Sequence, residues 1–393
     1  MSETMRHSYY QTTTFEMTLA GEATRFISKP GLPNWDQISP AMHLLARHVV
    51  LPSNAKVLLL GCNHGALGVV LARQVPQGVV WLSDMNGIAL TMAEQTLRAN
   101  GIRNARVPAD ISVLPEQTAA FDVVVIELPK GRKLARRWLV EAFTALRPGG
   151  MLYLAGPGDE GIQPVTNDME ALFGNAVRIG FKQRNRIASA TKPADNESLP
   201  DWATEPGVAP GTWHEFTAQI ENATFRLSSL PGTFAYDKVD EGTQLLLKHL
   251  SVPQHARVLD VGCGYGLIGL VAERRGAMQV DMVDVNTLAI AAARENIRRN
   301  GCTNSRALVS DGLHMVHEQY DLVVSNPPFH VGKSIDYDIA HALIADARRV
   351  LVPDGTLLIV ANVFIRYEEL MRSTFKKVDC VAENGQYRVL MAR

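Results

Sequence analysis

Short runs of valine, isoleucine and leucine alternate along this chain with longer amphipathic stretches. Residues 57–60, 258–261 and 320–324 are mostly apolar, which is typical of strands buried on both faces of a parallel sheet. Residues 88–99 and 288–299 carry apolar side chains at the spacing of amphipathic helices. This alternation predicts an α/β fold, with helices covering both faces of a largely parallel sheet.

The same pattern occurs twice. An apolar run leads into a glycine-containing loop at residues 57–68 and again at residues 258–269, and the later landmarks keep a similar offset of about 200 residues. The shared landmarks are Asp84 with Asp284, Asn100 with Asn300, and residues 121–125 with residues 320–324. A nearly constant offset indicates two tandem Rossmann-like domains that arose by internal duplication.

The segment between the two copies has the composition of a linker. Residues 191–211 contain four prolines together with acidic residues and glycines. We therefore expect a first domain over residues 1–190 and a second over residues 212–393. Polar and apolar residues alternate over residues 213–230, which predicts a hairpin at the start of the second domain.

Composition is that of a globular protein, with 46% hydrophobic and 20% charged residues. The formal net charge is −1, so a nucleic-acid partner would need a local basic patch. Four cysteines in 393 residues do not make a disulfide framework, and no metal-ligand spacing is found. The polar start and the lack of an apolar run of about 20 residues argue against a signal peptide or membrane span. We expect a cytoplasmic monomer without a metal.

The second copy carries a candidate cofactor site. Its loop glycines are Gly262, Gly264 and Gly266. Such a loop lets the backbone approach a ligand at the carboxyl end of a parallel sheet. Asp260 ends the first strand, Asp284 ends the second and can accept from ribose hydroxyls, and Asp311 follows the third and can accept from an adenine amino group. The glycines alone would also fit a dinucleotide dehydrogenase.

An Asn-Pro-Pro-Phe loop at residues 326–329 follows the apolar run at 320–324. The Asn326 side-chain oxygen and the Pro327 carbonyl can accept both hydrogens of a planar amino group, which brings the nitrogen lone pair out of conjugation. Two prolines stiffen the loop, and Phe329 offers a ring face for stacking. The loop shifts the prediction from a nicotinamide cofactor to S-adenosylmethionine and methyl transfer to nitrogen.

The first copy departs from this pattern. A leucine stands in the place of Asp260. Asn63 and His64 stand in the places of residues 264 and 265, and residues 127–130 stand in the place of the Asn-Pro-Pro-Phe loop. Asp84 remains, so residual cofactor binding stays open. We expect this copy to be a non-catalytic scaffold.

A basic run replaces the lost loop of the first copy. Its members are Lys130, Arg132, Lys133, Arg136 and Arg137, and Lys182, Arg184 and Arg186 follow on a later strand-like stretch. Such a run is either a solvated face or a phosphate-binding surface. Its position, where a substrate loop would lie, favours RNA.

Together these motifs resemble the bacterial ribosomal RNA guanine-N2 methyltransferases with duplicated domains, the RsmC and RlmG group. The resemblance rests on residues 230–234, 240–247, 326–330 and 359–362, and residues 230–247 are closer to the small-subunit RsmC type. It implies two class I methyltransferase domains, the first degenerate and the second catalytic, with S-adenosylmethionine as cofactor and ribosomal RNA or a ribosomal subunit as partner.

The resemblance also implies roles for individual residues. Phe234, Asp240 and Thr243 would cover the cofactor or shape the substrate entrance, and His330 would line the base pocket. The leading prediction is methylation of the exocyclic N2 of one guanine in 16S ribosomal RNA. The alternatives are a large-subunit guanine-N2 methyltransferase, a protein glutamine or adenine-N6 methyltransferase, and an RNA-binding assembly factor.

Overall fold

The computed structural model describes residues 9–108, 118–195, 198–327 and 337–393. The chain forms two compact units, one of Thr12–Trp213 and the other of His214–Arg393 together with Met1–Gln11. The sequence predicts that the start of the chain belongs to the first domain and that residues 191–211 are a linker. In the structure, residues 9–11 belong to the second unit and residues 198–211 pack on the first.

The first unit is an antiparallel hairpin followed by a seven-stranded sheet of order β5-β4-β3-β6-β7-β9-β8. Its strands are β1 (Thr13–Leu19), β2 (Glu22–Ser28), β3 (Lys56–Leu60), β4 (Val79–Ser83), β5 (Ala105–Arg106), β6 (Phe121–Glu127), β7 (Leu146–Pro157), β8 (Val177–Lys182) and β9 (Asn185–Thr191). Its helices are α1 (Pro40–His48), α2 (Ala66–Gln74), α3 (Gly87–Ala99), α4 (Arg132–Ala145) and α5 (Ile162–Phe173). Strands β3 to β7 pair in parallel, and β8 and β9 add an antiparallel edge.

The second unit repeats this arrangement, with a hairpin and a sheet of order β14-β13-β12-β15-β16-β18-β17. Its strands are β10 (His214–Ile220), β11 (Ala223–Ser229), β12 (Arg257–Val261), β13 (Gln279–Asp284), β14 (Ser305–Val309), β15 (Tyr320–Ser325), β16 (Leu351–Asn362), β17 (Val378–Glu383) and β18 (Tyr387–Ala392). Its helices are α6 (Glu241–His249), α7 (Leu267–Arg274), α8 (Thr287–Arg299), α9 (Tyr337–Val350) and α10 (Tyr367–Arg372).

The central strands are buried because both faces of each sheet are covered. Val57, Leu59 and Val125 are fully buried in the first unit, as are Leu259 and Val323 in the second. The predicted α/β fold with two tandem Rossmann-like domains is confirmed. The predicted hairpin at the start of the second unit is confirmed as well, with β10 and β11 in antiparallel register.

The repeated Asn-Gly pairs explain how each hairpin is held against its domain. The Asn100 side chain accepts from Arg25 N at 3.2 Å and donates to Arg25 O at 2.5 Å, in the manner of a neighbouring strand. Asn300 makes the same pair of bonds with Arg226, at 3.0 and 2.9 Å. An asparagine amide can do this because it carries both a donor and an acceptor.

The proline-rich segment belongs structurally to the first unit. Asp201–Thr204 forms a short 3₁₀ helix, and Val208 is buried. The Arg137 guanidinium donates to Gly207 O at 2.8 Å. A segment with buried apolar side chains and satisfied backbone groups is part of a domain surface, although its proline content is that of a linker.

Candidate active site

The glycine loop joins β12 to α7 at the carboxyl edge of the second sheet. Gly262 N and Cys263 N both donate to Val283 O, at 2.8 and 3.1 Å, which fixes the loop against β13. Gly262 has a φ of +69°, and a Cβ placed on it would meet no atom of the described residues within 4 Å. The loop therefore presents bare backbone to an open space, which is the cradle that a nucleoside cofactor needs.

Asp284 lies at the end of the neighbouring strand. Its carboxylate accepts from Gly264 N at 2.9 Å and from Asn286 N at 2.8 Å. Burial raises the pKa of this carboxyl, and the backbone hydrogen bonds oppose the shift. Each carboxylate oxygen has a second lone pair, so Asp284 can also accept from the two hydroxyls of a ribose.

Asp260 has a different place from the one that the sequence suggested. The residue is fully buried, and its Oδ2 accepts from Gly269 N, at the start of α7, at 3.0 Å. Burial raises its pKa to about 7. With no exposed surface, the carboxyl supports the loop from below, which argues against direct contact with a cofactor.

Asn326 directly follows β15 and has a fixed amide orientation. Its Nδ2 donates to Asp240 Oδ2 at 3.1 Å and to Thr243 Oγ1 at 2.9 Å. A carboxylate can only accept, so the amino group of the amide must face Asp240. The Oδ1 atom is buried and, within the described part of the chain, has no hydrogen-bond partner. An unpaired buried acceptor is costly unless a ligand supplies the donor.

Asp240 is the N-cap of α6, and its Oδ2 also accepts from Thr243 N at 3.0 Å. The cap therefore serves two purposes, because the same carboxylate starts the helix and orients Asn326. The sequence had linked Asp240 and Thr243 to the cofactor or entrance only by resemblance. Their contact with Asn326 joins residues more than 80 positions apart and has no signal in local spacing.

The segment from Gly232 to Lys238 lies beside the glycine loop. Asn286 donates to Gly232 O at 2.7 Å, and the Tyr265 hydroxyl donates to Lys238 O at 3.0 Å. Phe234 lies within this segment and is 60% exposed. Phe364, which the sequence reading did not single out, follows β16 and is equally exposed. The sequence feature that could have identified it is an aromatic residue just past a buried strand.

Of the remaining predicted residues, Pro327 is buried directly after Asn326, and Phe329 and His330 lie outside the described residues. Asp311 follows β14, and its carboxylate accepts from the Tyr9 hydroxyl at 2.9 Å. Asp284, Asp311 and Asn326 thus follow three strands of the same sheet edge.

The corresponding place in the first unit is filled by side chains of the unit itself. A Cβ on Gly61 would lie 3.1 Å from the Trp138 ring, whereas one on Gly262 would meet none of the residues that the structure describes within 4 Å. His64 is fully buried and stacks on Phe26 with ring centroids 4.2 Å apart. Asp84 keeps the backbone contacts of Asp284. The loop backbone is thus preserved, while Trp138 occupies the cradle.

Glu127 takes the position of Asn326 in the first unit. It accepts from the Ser39 hydroxyl at 2.5 Å, and Ser39 caps α1 as Asp240 caps α6. Burial raises the pKa of Glu127 to about 7. The cap thus donates to the strand end in this unit, whereas in the second unit Asn326 donates to the cap.

The basic run on α4 is largely neutralised by the chain itself. Arg132 and Arg136 each make two hydrogen bonds with Asp168, at 2.8–3.0 Å. Burial on its own would raise the pKa of Asp168, but the bonds from the two arginines hold it below its usual value. Lys133 pairs with Glu205.

The two ends of the basic run differ in exposure. The buried Arg137 pairs with Glu141 at 2.9 Å. Lys130 is exposed and, among the described residues, makes no ion pair. Of the five cations in the run, Lys130 is therefore the one that reaches solvent without a carboxylate partner.

The described part of the chain offers no metal site and no membrane-spanning helix. Within the described residues, no group of three or more histidine, cysteine, aspartate or glutamate side chains could hold a metal ion. No helix in that part of the chain is long and apolar enough to cross a membrane.

Comparison with known proteins identifies the family. The family described as methyltransferase small domain matches the chain twice, over residues 23–188 and 224–391. The ribosomal RNA small subunit methyltransferase C of Chromohalobacter salexigens is 34% identical over 321 residues, 81% of this chain and 91% of that protein. Its namesake from Shewanella amazonensis is 29% identical over 355 residues, 90% of this chain and 98% of that protein.

A solved structure agrees over the full length. The T. thermophilus 16S rRNA N2 methyltransferase RsmC, in complex with AdoMet and guanosine, superposes with a TM-score of 0.80 at 29% identity and covers 99% of both chains. The duplicated sheets, the open glycine cradle and the Asn326 loop of the second unit all lie within this match. The chain belongs to the ribosomal RNA small subunit methyltransferase C family and is an S-adenosylmethionine-dependent methyltransferase with two methyltransferase small domains.

Proposed function

We propose that the second unit transfers the methyl group of S-adenosylmethionine to the exocyclic N2 of a guanine in 16S ribosomal RNA. The observation that carries the proposal is the Asn326 amide, whose amino group is held by Asp240 and Thr243 and whose Oδ1 is buried and unpaired among the described residues. The names and the ligands of the relatives support the same reaction.

The chemistry follows from the acceptor. An aromatic amino nitrogen is a poor nucleophile because its lone pair is delocalised into the ring. When Asn326 Oδ1 and the Pro327 carbonyl accept its two hydrogens, the lone pair is released from conjugation and directed away from the loop. A preorganised acceptor adds no reorganisation cost at the moment of reaction. The nitrogen can lose its proton after the transfer, so no strong base is required.

The cofactor would be held by the open cradle of the second unit. The backbone at Gly262 and Gly264 would face the nucleoside, Asp284 would accept from the ribose hydroxyls, and Asp311 from the adenine amino group. S-adenosylmethionine supplies the electrophilic methyl group when it is bound. The glycine loop, Asp284 and the open space at Gly262 fit this group.

Two exposed aromatic side chains favour a nucleobase over a protein amide as substrate. Phe234 and Phe364 are each 60% exposed. Phe234 lies beside the glycine loop, and Phe364 follows β16, the strand that pairs with β15 before Asn326. Unstacked bases bind to such ring faces. The amide of a protein glutamine could also donate hydrogen bonds to Asn326, but a glutamine has no aromatic ring that could stack on these side chains.

The first unit would be a scaffold that positions the RNA without binding a cofactor. Trp138 in its cradle and the Ser39–Glu127 bond support this role. The prediction that Arg132, Lys133 and Arg136 bind phosphate stays a prediction, and their ion pairs make Lys130 the stronger candidate. We expect the enzyme to act as a cytoplasmic monomer, where ribosomal RNA is available.

The reaction can be tested by mapping methylated guanines in 16S ribosomal RNA by mass spectrometry. RNA from cells that lack the protein should lose one N2-methylguanine, and wild-type protein should restore it. Asn326→Ala should fail to restore it while still binding S-adenosylhomocysteine in calorimetry. Full restoration by Asn326→Ala would mean that other groups accept the amino hydrogens. If the protein were an RNA-binding assembly factor, cells that lack it would show no change in the methylation of 16S ribosomal RNA.

A further inference from the structure

Residues 9–11 are part of the second unit, although β1, which starts at Thr13, belongs to the first. Tyr9 is only 5% exposed, and its hydroxyl donates to Asp311 Oδ1 at 2.9 Å. The contact joins residues 302 positions apart. It places an aromatic residue from the start of the chain on one of the carboxylates of the proposed cofactor site.

Tyr10 anchors the same segment. Its hydroxyl donates to Asp346 Oδ2 at 2.7 Å, and Asp346 is fully buried on α9. Its ring stacks on His314, with centroids 4.5 Å apart and an interplanar angle of 27°. A Cβ on Gly312 would lie 3.1 Å from the Tyr10 hydroxyl oxygen. The segment is thus packed closely against the loop that carries Asp311.

The place of Asp311 gives this contact a chemical meaning. Ser310 N donates to Asp284 O at 2.9 Å, so the loop after β14 adjoins the end of β13. If Asp284 holds the ribose, the base attached to that ribose lies toward the neighbouring strand end. A carboxylate has about four lone-pair sites, so Asp311 can accept from Tyr9 and from a ligand amino group together.

We propose that the N-terminal Tyr9 completes the S-adenosylmethionine site by orienting the Asp311 carboxylate, which accepts a hydrogen bond from the adenine amino group. Tyr9 is a positioning residue in this arrangement, and the ring of Tyr10, stacked on His314, keeps the segment in place. The inference rests on the proposed function, because it requires the cofactor to lie in the second unit. It assigns part of the recognition of adenine to a segment that precedes the first unit in the chain.

The test is calorimetry on the full-length protein with two probes, S-adenosylhomocysteine and S-inosylhomocysteine, in which a carbonyl replaces the amino group. Wild type should prefer the adenosyl compound, because a carboxylate accepts from an amino group and repels a carbonyl oxygen. Tyr9→Phe should weaken adenosyl binding by about tenfold, the effect of one misplaced charged acceptor, and should change inosyl binding by less than about twofold. The preference should therefore shrink.

Tyr10→Phe is the matched control. It keeps the ring on His314 and removes the bond to Asp346, which is not a cofactor residue in this proposal. It should lower the Tm and leave the ratio of the two affinities at the wild-type value. Equal weakening of both probes in Tyr9→Phe would mean a purely structural role, and an unchanged ratio would overturn the inference.

The proposed function fails by a different result. If wild type does not bind S-adenosylhomocysteine, or if Asp284→Ala leaves its affinity unchanged, the cofactor does not lie in the second unit. A wild type that binds both probes equally would remove the role of Asp311 while leaving the cofactor site intact. Thermal unfolding of each variant shows whether the protein compared is folded.

Discussion

The bond between Asp240 and Asn326 allows the catalytic geometry to be tested apart from the fold. Asp240→Ala removes two hydrogen bonds to Oδ2, one from Thr243 N and one from Asn326 Nδ2. Loss of the helix cap should cost about 1 kcal/mol of unfolding free energy. A hydrogen bond to a charged acceptor contributes about 1.5–3 kcal/mol, so the ratio of correctly to incorrectly oriented Asn326 should fall about 10- to 150-fold.

We therefore expect kcat for methylation of a 16S ribosomal RNA substrate to fall in Asp240→Ala, by at most about 150-fold. Single-turnover methyl transfer, followed with a radioactive methyl group, measures this directly. The affinity for S-adenosylhomocysteine should stay within about twofold of wild type, because the cavity left by one side chain lies on the Asn326 side of the site. Asp240→Asn keeps both a cap and an acceptor oxygen, so it should recover most of the lost rate.

The duplication supplies the control for stability. Ser39→Ala removes the cap of α1 and the bond to Glu127, which is the matching change in the first unit. It should lower the Tm by an amount similar to Asp240→Ala and leave methyl transfer unchanged. If Asp240→Ala transfers methyl groups at the rate of Ser39→Ala, Asn326 does not depend on Asp240 for its orientation and the reasoning is wrong.

Three further predictions concern the first unit and its basic run. Calorimetry should find one S-adenosylhomocysteine site per chain, lost in Asp284→Ala and kept in Asp84→Ala; two equal sites would contradict a scaffold role. Glu127→Gln should raise the Tm at about pH 8 and not at about pH 4. The Glu127 carboxyl keeps its proton up to a pKa of about 7 in the folded protein, whereas the unfolded chain releases that proton near pH 4.5, so ionisation at high pH destabilises the wild type. An equal shift of the Tm at both pH values in thermal scans would refute this. Arg136→Met should lower the Tm, because Asp168 loses half of its hydrogen bonds, whereas Lys130→Ala should leave the Tm unchanged and reduce the salt dependence of RNA binding. If the salt dependence in Lys130→Ala equals that of wild type, Lys130 does not contact phosphate.

The sequence predicted the sheets well because their signals are local. The apolar runs, the loop glycines and the two Asn-Gly pairs depend on residues close together in the chain, and each recurs in the second copy. The place of Asn326 could be predicted as well, since a residue that directly follows a parallel strand lies at the carboxyl edge of the sheet. Periodicity and strand order suffice for such features.

The partners of charged side chains could not be predicted in this way. Arg132 and Arg136 lie one turn apart on α4, and their spacing indicates a basic face. Asp168, which neutralises both, lies more than 30 residues away on α5. The contact between Tyr9 and Asp311 spans almost the whole chain. The pairing of a carboxylate with a particular cation depends on how the helices pack, and no local sequence pattern predicts it.

The comparison of Ser39–Glu127 with Asp240–Asn326 shows how one copy can keep its fold and lose its chemistry. In the second unit Asn326, at the strand end, donates an amide hydrogen to Asp240, the helix cap, so the Oδ1 atom of Asn326 remains available to a substrate. In the first unit the direction is reversed, and the cap donates to the strand end. Both arrangements join the same helix to the same sheet edge, so both satisfy the fold. Donor and acceptor have exchanged places in the first unit, and the Trp138 ring lies close to the Gly61 position of its loop. The amide geometry on which the proposed methyl transfer depends is therefore the one around Asn326 in the second unit.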